Sequence, residues 1–215
     1  MENIRSAEVA LTGTGYLVMN DMNGADPDTE LSREYNGLVD AGRGRNTLTE
    51  AQEARKRRIQ WERSLYLSKD GQLVFPVYNV LQCLTAAAKT YRLGSVLERG
   101  AVQILGSEVP VTLPPDGEQP GEPWLSAARS LDALYEQTRW TCFVNGNPSS
   151  GKGSSKVQLT RPRFQPWSLA FTAEVDTESL NWPDFEKIVH TAGRVGIGNA
   201  RKLGHGRFTA EIKQL

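Results

Sequence analysis

The sequence predicts an α+β fold, a β-α-β-β-α-β core that carries two large insertions. Three observations predict it. Leu169, Phe171, Ala173 and Val175 alternate with polar or small neighbours, the period of a half-buried strand. Asn181 precedes Trp182-Pro183, a helix opening, and Phe185, Ile188, Val189 and Ala192 then fall on one helical stripe. Far upstream, Val80, Leu81, Leu84, Ala87, Ala88 and Tyr91 show the same spacing within 79–91. Two helices, each flanked by strands, give the ferredoxin-like order.

In chain order, 7–18 reads as a strand with Val9, Leu11 and Leu17 on one parity. Gly13 and Gly15 interrupt it, which predicts a bulge or another backbone passing close. Residues 20–47 have little periodicity and predict a long irregular excursion. Thr49 with Gln52 forms a capping box for a helix over 49–62, whose polar faces place it on a surface. Short strands follow over 63–78 around Lys69-Asp70-Gly71. The helix over 79–91 is capped by Asn79 and Gln82, with Gly94 helping to end it. Short strands are expected over 101–113, then a turn-rich stretch from Pro114 to Pro123. A strand over 139–144, a Gly/Ser/Asn/Pro tract over 146–155 and a strand over 156–163 form a hairpin. Phe208, Ala210 and Ile212 alternate in a final strand. The expected organisation is a single domain over 1–215, with a thumb-like excursion at 20–78 and a second inserted region at 107–165 that carries a basic hairpin.

Composition limits the function classes. The chain has 215 residues, enough for one domain with insertions. Lys+Arg and Asp+Glu are both 25, so no global basic field holds a polyanion, and any such surface needs segregated charge. No apolar run reaches the length of a membrane span, and the first residues lack a signal-peptide layout. Cys83 and Cys142 sit in apolar surroundings and read as buried thiols in a reducing cytoplasm.

Charge is indeed segregated. Arg43, Arg45, Arg55, Lys56, Arg57, Arg58 and Arg63 form one run, Lys152, Lys156, Arg161 and Arg163 a second, and Lys187, Arg194, Arg201, Lys202 and Arg207 a third. Acidic blocks at 20–40 and 174–186 balance them. The plain alternative is a set of scattered solvated faces. In the third run, glycines alternate with cations, and exposed N–H groups near Arg201 and Lys202 can hold phosphates. Its glycine order does not fit a dinucleotide fingerprint. GNPSSGKG at 146–153 misses a phosphate-binding loop at Gly153, where Ser or Thr would bind magnesium. Tyr35, Trp61, Phe164 and Trp167 are the aromatic residues placed to stack on bases, or else belong to the core. No catalytic constellation, metal-ligand spacing or cofactor motif is found, so the expectation is a protein that is not an enzyme and needs no cofactor.

GIGNARKLGHGRF at 196–208 resembles the glycine-rich signature of the RAMP superfamily, and most closely that of CRISPR effector backbone subunits. Gly196, Gly198, Arg201, Gly204, Gly206 and Phe208 occupy the places of the pattern G-x-G-x-x-R-x-x-G-x-G-x-F. FPVYNVLQCLTAAAKTYRLG at 75–94 resembles the family's first core helix, and the layout of 26–104 resembles bacteriophage-encoded relatives. The resemblance implies an RNA-recognition-like fold, head-to-tail assembly as a homo-oligomer or multi-subunit ribonucleoprotein, and sequence-independent binding of single-stranded nucleic acid, RNA above all. Arg43, Arg45, Arg57, Arg58, Lys152, Lys156, Arg194, Gly196, Gly198, Arg201, Lys202, Gly204 and His205 are the expected binding residues. Two other readings stay open. One is a protein-interaction module that caps or mimics an effector subunit. The other is a metal-dependent ribonuclease using Asp21 or Asp26, since some relatives cut RNA with an aspartate in the thumb region.

Overall fold

The computed structural model describes residues 3–21, 24, 26–42, 47–113, 130–145 and 156–215. It shows a mixed α/β fold with two sheets, broadly consistent with a ferredoxin-like core. The chain forms two compact units. Unit 1 comprises Met1–Val18, Tyr66–Leu125 and Phe164–Leu215, and unit 2 comprises Met19–Leu65 and Ser126–Arg163.

In unit 1, β1 (Ile4–Gly13) lies between β8 (Ser168–Asp176) and β9 (Phe208–Gln214), antiparallel to both. The sheet continues through β5 (Glu108–Thr112) to β3 (Val74–Pro76), and β4 (Val102–Ile104) also pairs with β8. The register sets Ala7, Val9 and Leu11 opposite Ala173, Phe171 and Leu169, all on the buried face. A slip of one residue would turn every one of these side chains to water, so the pattern specifies the register. α3 (Val77–Lys89) and α6 (Trp182–Val195) pack on each other. They bury Val80, Leu84 and Ala88 from one helix and Phe185, Ile188, Val189 and Ala192 from the other.

Unit 2 holds α1 (Glu30–Ala41), α2 (Glu50–Glu62) and α5 (Leu131–Thr138). It also holds the hairpin of β6 (Arg139–Asn145) and β7 (Lys156–Phe164), apart from Phe164. The remaining elements are the two-residue β2 (Leu17–Val18) and the short α4 (Gly94–Glu98). Among the described residues, no helix is long and apolar enough to cross a membrane.

Several expectations hold to the residue. Thr49 and Gln52 make the full capping box of α2. The Asn181 side chain accepts from the Asp184 N–H and caps α6, with Pro183 in the first turn. The hairpin at Lys69-Asp70-Gly71 closes on a Leu67–Leu73 bridge. Others need correction. The excursion at 20–47 contains α1, capped by Thr29, whose hydroxyl accepts from the Ser32 N–H. α3 begins at Val77, so Asn79 is no cap and instead donates to the Tyr66 hydroxyl at 3.2 Å. Gly94 opens α4 rather than ending α3. Gly13 makes room for a ring, not a backbone, because a Cβ there would lie 2.2 Å from the Trp167 indole. At Gly15 a backbone does pass close, with the Gly204 carbonyl 2.9 Å from an added Cβ. The surface reading of α2 fails in its last turn, where Ile59, Gln60 and Trp61 are buried. Pro114 to Pro123 and the tract at 146–155 lie outside the described residues.

Both cysteines are free thiols; Cys83 is buried, whereas Cys142 is partly exposed. The Cys83 thiol donates to the Gly196 carbonyl at 3.1 Å. Burial pushes it from an ordinary 9.0 up to about 12, against the opposing pull of the Arg201 charge. The folded chain therefore keeps a proton that the unfolded chain loses above pH 9, so this group's contribution to stability falls as pH rises toward 12. The expected result is that the urea midpoint falls less between pH 8 and pH 10.5 in Cys83→Ala than in the unaltered chain. Equal slopes would remove Cys83 from the alkaline response.

Candidate functional site

The third basic run forms a corner of unit 1 between α6 and β9. α6 ends at Val195, and Gly196 continues the chain with φ of +79°. Gly198, Gly204 and Gly206 also take positive φ, as does Ala200 at +57°. One 3-10 turn, Arg201–Leu203, sits between the glycines. Backbone bonds tie the segment down. The Ile197 N–H donates to the Gly206 carbonyl at 2.9 Å, the Gly206 N–H to the Tyr16 carbonyl at 2.7 Å, and the Asn199 N–H to the Val18 carbonyl at 2.9 Å. Gly206 is the tightest point: its φ is +71°, and an added Cβ would lie 1.8 Å from the Ile197 carbonyl oxygen. The glycines thus fix the corner, and most of its N–H groups bond within the chain. The N–H groups of Arg201 and Lys202 open the 3-10 turn, where no intrahelical carbonyl reaches them.

This corner brings together seven of the expected residues: Arg194, Gly196, Gly198, Arg201, Lys202, Gly204 and His205. Arg194, Arg201 and Lys202 are exposed and make no ion pair among the described residues. Two neighbours were not among the expected binding residues. Arg207, already counted in the third basic run, is exposed, its guanidinium carbon 3.8 Å from where a Cβ on Gly204 would stand. Tyr16 is 39% exposed and meets His205 edge to face, with ring centroids 6.0 Å apart. The available signal was Tyr16 following Gly15, since a large aromatic residue beside a tight glycine corner has little room to turn inward.

Unit 2 treats its cations differently. Arg58 stacks on Trp61 and Tyr135, 5.1 and 4.7 Å from their centroids, and pairs with Asp132 at 2.9 Å. Arg55 grips Glu34 with two bonds of 2.7 and 2.6 Å, which hold the Glu34 carboxyl below its ordinary value and raise Arg55. Arg57 and Arg58 line one groove of about 590 Å³ with Arg139, a further cation that the reading missed, and with Glu62, Asp132 and Glu136. Acids and bases therefore share its lining. Lys156 occupies the first position of β7. Arg43, Arg45 and Lys152 lie outside the described residues. Of the aromatic residues proposed for stacking, Trp61, Phe164 and Trp167 are core residues with at most 2% exposure. Tyr35 is partly exposed beneath the Arg63 guanidinium.

The Asp26 carboxylate accepts from the Asp28 N–H, and Asp21 lines a cavity beside Arg63 and Arg161. Among the described residues, no group of three or more His, Cys, Asp or Glu side chains is placed to hold a metal ion.

No protein-family model and no curated protein matches the chain. Among solved structures, it aligns with a chain of the Type III-B Cmr-beta complex bound to cognate target RNA, determined by cryo-EM. The TM-score is 0.48 and the identity 9%, over 100% of this chain and 61% of that one. This chain thus spans less than two thirds of the length of the structure it matches, a distant structural similarity.

Proposed function

We propose that the chain is a non-catalytic, sequence-independent binder of single-stranded nucleic acid, RNA above all, that works as a repeating subunit of a head-to-tail assembly. The observation that carries this reading is the glycine-fixed corner at 196–207. It presents Arg194, Arg201, Lys202 and Arg207 to solvent, unspent on internal ion pairs among the described residues, beside the exposed Tyr16 ring. Cations so placed neutralise phosphates without reading bases, and an aromatic face accepts any base. Arg57 and Lys156 are proposed as further contacts within unit 2. The acidic block at 174–186 is the proposed seat for a basic face of the next copy, which accounts for a neutral chain that binds a polyanion.

The fold reading that accompanies this takes β1, α3, β4 with β5, β8, α6 and β9 as a β-α-β-β-α-β core. The strand order β9-β1-β8-β5, antiparallel at each step, supports it. The two proposed insertions then fall between β1 and α3 and between β5 and β8.

The test is fluorescence anisotropy with a labelled single-stranded RNA across a salt series. Reversing the charge at Arg201 is expected to weaken binding about tenfold or more and to flatten the salt dependence. Because Arg201 is exposed, the thermal midpoint should not move. Unchanged affinity in Arg201→Glu would count against the corner as the binding surface.

A further inference from the structure

Within unit 2, a cavity of about 230 Å³ is lined by Asp21, Tyr35, Gln60, Arg63, Ser64 and Arg161, among others. Arg161 comes from β7 and belongs to the second basic run, which suggested a solvated position. It is instead half-buried. Its Nη1 donates to the Ser64 hydroxyl at 2.9 Å, while its Nε is fully buried with no hydrogen-bond partner among the described residues. No carboxylate pairs with it among those residues. Burial pulls the guanidinium below its ordinary value, and Arg63 pushes the same way. A second donor is also unspent. The Tyr35 hydroxyl accepts from Gln60 Nε2 at 2.9 Å, and no acceptor for its own proton is seen among the described residues. Arg63 lies over the Tyr35 ring, 4.9 Å from its centroid, and donates from Nε to the Gly24 carbonyl.

A half-buried guanidinium without an anionic partner is costly, and a site that retains one suits an anion that arrives from outside. We propose that this cavity binds one phosphate group. Tetrahedral oxygens can take donors from several elements at once, here Arg161 on β7, Tyr35 on α1 and Arg63 just after α2, whereas a carboxylate meets donors in one plane. Two arginines and Asp21 leave one formal positive charge, which matches a phosphate monoanion. The cavity also exceeds the roughly 30 Å³ share of a single water several times over. The group has two chemical sources, free phosphate or the diester link of a strand, and the cavity does not depend on the strand-binding reading above.

The experiment reads the thermal midpoint of the full chain at pH 6 with inorganic phosphate, with dimethyl phosphate, or with sodium chloride of equal ionic strength. Inorganic phosphate in about tenfold excess over its Kd is expected to raise the midpoint by about 2–4 °C over the chloride control. In Arg161→Met the midpoint without phosphate should be equal or higher, since an orphaned charge is gone, and the phosphate response should vanish. In Arg201→Glu the response should persist. A dimethyl phosphate response equal to that of inorganic phosphate assigns the cavity to a strand's diester, and a response to inorganic phosphate alone assigns it to the free anion. No response to either probe, or an undiminished response in Arg161→Met, overturns the proposal. Anisotropy of the same variants with labelled RNA separates the two readings: a strand that binds without a phosphate response sinks the cavity, and a phosphate response without strand binding sinks the strand.

Discussion

Replacing Gly206 with alanine is expected to destabilise unit 1 by roughly 2–4 kcal/mol, the sum of a left-handed backbone imposed on an L residue and of overpacking against main chain. Two observations set the size. The backbone at Gly206 has φ of +71°, and the new methyl would stand 1.8 Å from the Ile197 carbonyl oxygen. That carbonyl belongs to a residue whose own N–H is bonded back to Gly206, so neither strand of the corner can yield without breaking the other's hydrogen bond. The Gly206 N–H also holds the Tyr16 carbonyl, so the shift would reach the segment between β1 and β2. Denaturant unfolding would measure the loss, and anisotropy on the variant that remains folded would show whether the corner still binds. A loss below about 1 kcal/mol would mean that the corner relaxes freely, contrary to the packing described.

Trp61→Ala is the second large effect, about 3–5 kcal/mol, the usual range for removing a buried aromatic side chain. Trp61 is fully buried, its indole N–H donates to the Thr138 hydroxyl at 3.2 Å, and its ring meets Tyr135 edge to face at 5.2 Å. It joins α2 to α5, two elements far apart in sequence. Its loss also strips Arg58 of one of its two aromatic faces. Trp61→Phe should recover most of the packing and lose only the hydrogen bond, about 1 kcal/mol. Denaturant unfolding should rank the two variants in that order, and amide exchange should show the alanine variant losing protection in β6 and β7. Equal stability of the two would show that shape at this position is unimportant.

These positions also show what a sequence can disclose. The helices around Thr49 and Asn181 were legible because a cap is a local device, a side chain and an N–H two or three residues apart. The strand at 168–176 was legible because its alternation is unbroken. α1 was hidden because its residues are mostly polar and acidic, and Leu31, Tyr35 and Leu38 are too sparse to outweigh the surrounding loop signals. Trp61 read equally as a base-stacking ring or as core because its partners, Tyr135 and Thr138, lie on a helix that no sequence signal foretold. The glycine corner was visible from its spacing, but Arg161 was not, since cations read alike in a sequence whether they face water or a cavity. Burial of a charge depends on long-range packing, which no local pattern encodes.

The position of β1 bears on how the molecule is made. Val9 pairs with Phe171 on one side and Ile212 on the other. Both partners are synthesised well after this strand, so one of its edges stays open until β8 is made and the other until β9. Nascent chains with such unpaired edges stick to one another, so production of this protein in quantity should respond more to translation speed and to holding chaperones than to the stability of the finished fold.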